Sequence, residues 1–203
     1  KNQFYQNNYE WIGFCQKRRF WINKNIELKN LNKKNIHNFL LINKQPEWEN
    51  YNAIICEPID VNNVKKIKMI KRGFKHVLKD PTILFDKNKK TIKLHFDMHH
   101  GYGVLDKAIN FIKEEDQKDF KKFINENTEF NPHIMFISKK KIIDNWFSDL
   151  FDWLFKCEKE FGFENLKNYE SGRLYAYLAE RYLSFWFKKY TKYKVHPWRF
   201  INV

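Results

Sequence analysis

The sequence predicts an α/β fold with a helical second half. Three observations predict it: short aromatic and β-branched runs in the first half end at polar or proline punctuation, a stretch between them has helical spacing, and two long amphipathic stretches fill the last third.

In order along the chain, Tyr9–Cys15 is short, aromatic and β-branched and ends in a polar cluster, which favours a buried strand. Lys34–Asn43 places Ile36, Phe39, Leu40 and Asn43 at helical spacing, and Tyr51–Glu57 reads as a second buried strand stopped by Pro58. Together they predict a β-α-β pattern. The lysine-rich Val64–Ile70 fits either an edge strand or a helical turn. Gly101 and Gly103 break the chain before Val104–Asn127, whose apolar spacing predicts two helices meeting near Glu115. Asn131–Ile137 reads as a further buried strand, with Ser138 as the N-cap of the helix behind it. That helix carries a wide apolar stripe from Ile142 to Phe155 and stops at Gly162. A last helix runs from about Ser171 to Tyr190, its terminal Lys188 and Lys189 suiting the negative end of the helix dipole.

The 203 residues are enough for one sizeable core, and neither a repeat nor a linker divides them, so residues 1–203 are expected to form one domain. Hydrophobic residues at 43% and aromatics at 18% exclude a disordered chain. The net charge of +14 raises the question of nucleic acid, whose phosphates reward clustered cations. Here the lysines run through nearly every segment of a chain rich in Lys, Asn, Ile and Phe, as an AT-rich genome favours. The expectation is therefore no nucleic-acid partner, with codon bias on one side and a smaller anion on the other: a sugar nucleotide, a lipid-linked pyrophosphate or an acidic membrane face.

Cys15, Cys56 and Cys157 are odd in number and widely spaced, so they predict neither a disulfide framework nor a zinc site, and fit a reducing cytoplasm. Cys15 and Cys56 lie in apolar runs and are expected to be buried structural thiols. No apolar stretch approaches the ~20 residues needed to span a bilayer, so a cytoplasmic location is expected, with peripheral contact at the inner membrane face as its extension.

Three groups of residues could carry chemistry. Arg18 and Arg19, two of only six arginines, follow the first strand, where α/β sheets place ligand crevices and where a guanidinium fork would hold phosphate. The alternative is a solvated basic turn. Asp97, His99 and His100, with His95 just before, gather a carboxylate and imidazoles suited to proton transfer or to a divalent ion, although the spacing matches no strong zinc signature and adjacent histidines on a strand would face opposite ways. Asn131 and His133 open a predicted strand, and Glu180 with Arg181 forms either an internal ion pair or a cleft-facing site on an otherwise apolar helix.

The run Tyr9-Glu10-Trp11-Ile12-Gly13-Phe14-Cys15-Gln16-Lys17-Arg18-Arg19-Phe20 resembles the Tyr-Ile-Gly-Leu-Cys-His-Tyr-Arg-Arg-Tyr-Phe signature of a family of bacterial proteins taken for glycosyltransferases. The family is catalogued as a domain of unknown function and found in capsule and lipopolysaccharide gene clusters. Phe130–Lys140 is similar to its Tyr-Asn-Met-Phe-Ile-Met-Lys-Lys block, and Leu178–Leu183 to its Leu-Ala-Glu-Arg-Leu-Leu helix. The resemblance implies a nucleotide-sugar-transferase-like, single Rossmann-like domain that moves a sugar from a nucleotide donor to a growing glycan or lipid-linked acceptor. It also implies that the family's amino-terminal nucleotide-binding strand-helix region lies outside these residues.

By the same resemblance, Arg18 and Arg19 meet donor phosphate or acceptor charge, Asn131 meets a sugar hydroxyl, and Glu180 with Arg181 shapes the cleft. Asp97, His99, His100 and Asp106 fall near a His-containing block, the first three as base candidates. Gln16-Lys17 replaces the family's His-Tyr, which removes any catalytic histidine at that point. An Asp-x-Asp metal motif is absent from the sequence, so metal independence is expected, with Mn2+ or Mg2+ at Asp97-x-His99 as the alternative. A non-catalytic glycan- or partner-binding module of a larger capsule enzyme is the rival reading.

Overall fold

The computed structural model describes residues 10–23, 33–164, 166 and 172–201. In chain order its elements are β1 (Trp11–Phe14), β2 (Arg19–Trp21), β3 (Ala53–Cys56), β4 (Ile59–Asp60), α1 (Lys66–Arg72), α2 (Phe74–Lys79), α3 (Ile92–His100), α4 (Val104–Ile109), α5 (Glu114–Glu126), β5 (Glu129–Phe130), β6 (Phe136–Lys139), α6 (Lys140–Phe161), α7 (Leu174–Tyr190), β7 (Tyr193–His196) and β8 (Trp198–Phe200). The chain divides into two compact units. Unit one comprises Lys1–Glu57, Pro132–Phe147 and Trp186–Val203, and unit two comprises Pro58–Asn131 and Ser148–Phe185.

Unit one is built on a four-stranded sheet in the order β1-β6-β3-β7. β6 runs antiparallel to both neighbours, with Ile137 opposite Gly13 on one side and Ile54 on the other, while β3 and β7 are parallel. β3 lies inside the sheet, and all four of its residues, Ala-Ile-Ile-Cys, are buried, the near-continuous apolar run that a strand covered on both faces requires. Aromatic rings fill the core beside it: Phe136 packs 4.7 Å from Phe14 and 5.2 Å from Phe187, and Trp146 lies 5.4 Å from Trp186. A two-stranded ribbon, β2 with β8, sets Arg19 opposite Phe200.

Several sequence expectations change here. β1 and β3 are not joined as a simple β-α-β unit, because β6 inserts between them, and the predicted helix at Lys34–Asn43 is a single 3-10 turn at Ile36–Asn38. The strand predicted from Asn131 starts only at Phe136: His133 and Ile134 take φ of 70° and 49°, which no extended backbone accommodates. Ser138 is therefore a strand residue rather than an N-cap, and its hydroxyl donates to the Asn52 carbonyl at 2.9 Å. Cys15 is exposed, whereas Cys56 is buried as expected.

Unit two is helical apart from the β4–β5 ribbon. Within Val64–Ile70 the chain enters α1 at Lys66, so the segment is helical rather than an edge strand, and Gly101 ends α3. The two helices predicted between Val104 and Asn127 are α4 and α5, separated by residues 110–113. On α7, Tyr182 is buried and directs its hydroxyl to Asp116 on α5 at 3.2 Å, and Trp153 of α6 donates its indole N–H to the Ala108 carbonyl at 2.7 Å. These bonds satisfy the polar ends of large buried side chains whose bodies supply most of the apolar burial. Met69, Ile83, Leu94 and Met98 form a second apolar cluster beneath α1, α2 and α3.

Candidate active site

The best-equipped cluster of unit two grows from α3. Thr91 accepts the Leu94 N–H at 3.4 Å as N-cap, and the helix then presents His95, Asp97, His99 and His100. Because successive residues turn by about 100°, the groups that the sequence places side by side separate onto different faces. Asp97 leaves the histidines behind and meets His76 and Lys93 instead.

The Asp97 side chain is 1% exposed and accepts hydrogen bonds from His76 Nε2 at 2.8 Å, Lys93 Nζ at 2.7 Å and the Gly103 N–H at 3.3 Å. Burial pushes its pKa up, but the bonds from His76 and Lys93 outweigh that and hold it below the ordinary carboxylate value. An ionised carboxylate only accepts, so His76 Nε2 carries a hydrogen and Nδ1 is the basic nitrogen of the neutral ring. Lys93 also reaches Asp106 at 2.7 Å; burial lowers its pKa, and the two carboxylates overcome burial and raise it. The Tyr102 ring stands 5.1 Å from the His76 ring, with the Lys75 ammonium 4.7 Å above it. His76 and Lys93 line a cavity of about 340 Å³ together with Lys79, Asp80, Thr91 and Asn125. This is a histidine base oriented by a buried carboxylate at the wall of a polar cavity, an arrangement that can take a proton from a hydroxyl.

The remaining histidines of α3 join a different cluster. The His95 and His99 rings lie 4.7 Å apart and tilted, and His100 lies 3.8 Å from the Tyr177 ring and nearly parallel to it. Arg181, 1% exposed, donates to Glu180 Oε2 at 3.1 Å and to His95 Nδ1 at 3.2 Å, its guanidinium 4.0 Å from the Phe130 ring centre. Glu180 and Arg181 are thus an internal ion pair. Burial first, and the Arg181 charge second, push the His95 pKa down to about 2, so His95 is neutral. Burial also lowers Arg181, to about 10, which leaves it charged at neutral pH. Arg72 donates to His99 Nδ1 at 3.2 Å. Asn131 is buried in this unit and donates its backbone N–H to the Ser184 hydroxyl at 2.7 Å.

In unit one, Arg18 occupies the turn between β1 and β2 with φ of 67° and is exposed, while its carbonyl accepts the Ile201 N–H. Arg19 opens β2 with its guanidinium 5.4 Å from the Phe200 ring, and its Nε is buried without an acceptor among the described residues. The His133 ring meets Trp198 edge-on at 4.7 Å. Neither His76 nor Lys93 is legible from sequence as a site residue. Recognising α3 as a helix would have exposed the Lys93–Asp97 pair through its i,i+4 spacing, but the approach of His76 is a tertiary contact.

Among the described residues, no group of three or more His, Cys, Asp or Glu side chains is placed to hold a metal ion, and no helix is long and apolar enough to cross a membrane. Asp97 and His99 lie two residues apart on α3, about 200° around the helix, so the two side chains diverge: Asp97 turns to His76 and Lys93, and His99 to Arg72.

The mixed sheet with its helical half is a nucleotide-sugar-transferase-like α/β fold. The chain belongs to the family described as a domain of unknown function, DUF4422, whose model matches residues 1–192. The apo structure of the bifunctional glycosyltransferase WbbM shares the fold, with a TM-score of 0.68 at 15% sequence identity over 98% of this chain. This chain spans about a third of that protein, 34% of its length. No curated protein matches the sequence.

Proposed function

We propose that the chain carries the acceptor-side and catalytic part of a glycosyltransferase that moves a sugar from a nucleotide donor to a growing capsular or lipopolysaccharide glycan. The observation that carries this reading is the His76–Asp97 pair at the wall of the polar cavity, in a chain whose fold is shared with a glycosyltransferase. His76 Nδ1 takes the proton from the acceptor hydroxyl as that oxygen attacks the sugar carbon. Asp97 fixes the ring and stabilises the imidazolium that forms. In unit one, Arg18 and Arg19 are the groups for donor phosphate: the free Nε of Arg19 is a donor that a phosphate oxygen satisfies, and a guanidinium fork suits the nucleoside phosphate that leaves the sugar carbon.

The test is a panel of sugar nucleotides screened by thermal shift on the full natural protein, with and without Mn2+. Stabilisation by one donor, abolished in the Arg18→Ala/Arg19→Ala variant without loss of its own unliganded melting transition, is expected. Absence of stabilisation by every donor overturns the transferase reading.

A second reading has its own observation. In unit one, Trp11, Trp21, Trp48 and Lys44 line a pocket of about 300 Å³, and the indole N–H groups of Trp11 and Trp48 are buried without an acceptor among the described residues. Flat indole faces with unmet donors suit a sugar ring, whose hydroxyls accept, and the volume is at the low end of the ~300–1,000 Å³ typical of ligand sites. A glycan-binding module predicts glycan affinity without turnover, which the same donor screen separates from catalysis.

A further inference from the structure

Five large apolar side chains of unit two stand in solvent within one short stretch: Ile67, Ile70, Phe74, Leu78 and Phe85 are 70, 49, 55, 67 and 75% exposed. Single exposed apolar residues need no explanation, but a contiguous group does. The first four follow one another at spacings of 3, 4 and 4, which keeps them on one side of a helical path. Gly73 joins the two helices directly: its N–H donates to the Met69 carbonyl at 2.7 Å to close α1, and its carbonyl accepts the Val77 N–H at 3.0 Å to open α2. Nor are these residues a core that failed to close. Met69 and Val77 already supply the inward face, packed with Ile83, Leu94 and Met98, and Gly73 is buried where an added Cβ would meet the Met69 carbonyl oxygen at 2.9 Å.

The same stretch holds the densest charge of the molecule. From Val64 to Lys90 there are ten lysines and arginines against Asp80 and Asp86 alone, so one stretch contributes +8 of the net +14. The lysines that run through the whole chain thus still concentrate here, and they are interleaved with the exposed apolar side chains, as where the Lys66 ammonium lies 4.2 Å from the Phe85 ring.

We infer that this face of unit two, α1, α2 and the 3-10 turn at Pro81–Leu84 leading to Phe85, seats on an anionic lipid bilayer. Apolar side chains in an otherwise basic helical face enter the boundary between head groups and acyl chains, while lysines meet lipid phosphates. A bilayer covers both kinds of group at once. A nucleic acid would engage the lysines and leave Ile67, Ile70, Phe74 and Leu78 in water, so the apolar row favours lipid over phosphate backbone.

The experiment is co-sedimentation of the whole protein with vesicles of phosphatidylcholine alone and of phosphatidylcholine with 30% phosphatidylglycerol, beside a duplex DNA oligonucleotide in a separate titration. The protein is expected to sediment with the anionic vesicles at least about tenfold more tightly than with the neutral ones. Ile67→Ser/Phe74→Ser/Leu78→Ser, which leaves every charge in place, is expected to weaken that binding at least about fivefold. Lys65→Gln/Lys68→Gln/Lys71→Gln is expected to weaken it comparably, and both variants should keep the parent melting temperature within a few degrees, since all six positions are exposed. No preference for anionic vesicles overturns the inference, as does serine-variant binding equal to the parent or tighter binding to the oligonucleotide than to vesicles. Because neither donor nor acceptor is present, the outcome is independent of the transferase reading.

Discussion

At the scale of single residues, the proposed chemistry rests on one hydrogen bond, from His76 Nε2 to Asp97. Removing a positioned general base typically costs 10²–10⁴ in rate, so His76→Asn should lower kcat by about that factor in the assay with the donor found by screening, with an unchanged melting temperature. Asp97→Asn acts through the ring. It should lower kcat with the melting temperature unchanged, since the ring loses the carboxylate that orients it and balances the imidazolium, whereas a merely structural role would lower the melting temperature and leave kcat of the folded protein in place.

His95 makes a separate prediction about stability. Its folded pKa is depressed to about 2, so between its ordinary value and that point the unfolded chain binds a proton that the folded chain does not. Stability is then fully present above about pH 6.5 and falls as pH drops below it, by at most about 1.4 kcal/mol per pH unit. His95→Gln keeps an acceptor for Arg181 and removes the titration. Urea midpoints measured from pH 7 to pH 4 should therefore fall less steeply for the variant than for the parent, and parallel curves would show that His95 does not carry the effect.

At the scale of elements, the turn between α3 and α4 positions both ends of the cluster, because Gly103 supplies an N–H to Asp97 and Asp106 supplies the second carboxylate to Lys93. Gly101 has φ of 113°, and a Cβ there would lie 2.9 Å from Val104 Cγ2. Gly103 has φ of 79° with open space around it. Both conformations suit glycine, but only the first also meets a steric block. Gly101→Ala should therefore destabilise by about 2–3 kcal/mol and Gly103→Ala by about 1–2 kcal/mol, ranked by thermal or urea denaturation. The elements themselves were partly legible. The stripe of α6 and the apolar run of β3 repeat at the periods their structures demand, so sequence pattern found them. The Lys34–Asn43 stretch has the spacing of a helix but forms one 3-10 turn, since spacing in a short segment does not outweigh the tertiary contacts around it. At Asn131–Ile137 the apolar run was visible and the turn inside it was not, because two positive φ angles at His133 and Ile134 leave no mark in the residue types.

At the scale of the whole molecule, composition and pattern had already set the class: an α/β chain with enough apolar surface to fold and a large positive charge. The family membership over residues 1–192 agrees with the resemblance to a family catalogued as a domain of unknown function. What the sequence by itself determined was whatever depends on neighbours along the chain: which stretches are amphipathic, where glycines end a helix, and which residue types are present to do chemistry. Only the tertiary structure decided which of those types meet. It put β6 between β1 and β3, turned Glu180 and Arg181 into a buried pair, and took Asp97 from His99 and His100 to join it to His76, 21 residues away. The physical reason is that a site requires side chains a few ångströms apart in space, and burial and packing between distant segments, rather than spacing along the chain, set those distances.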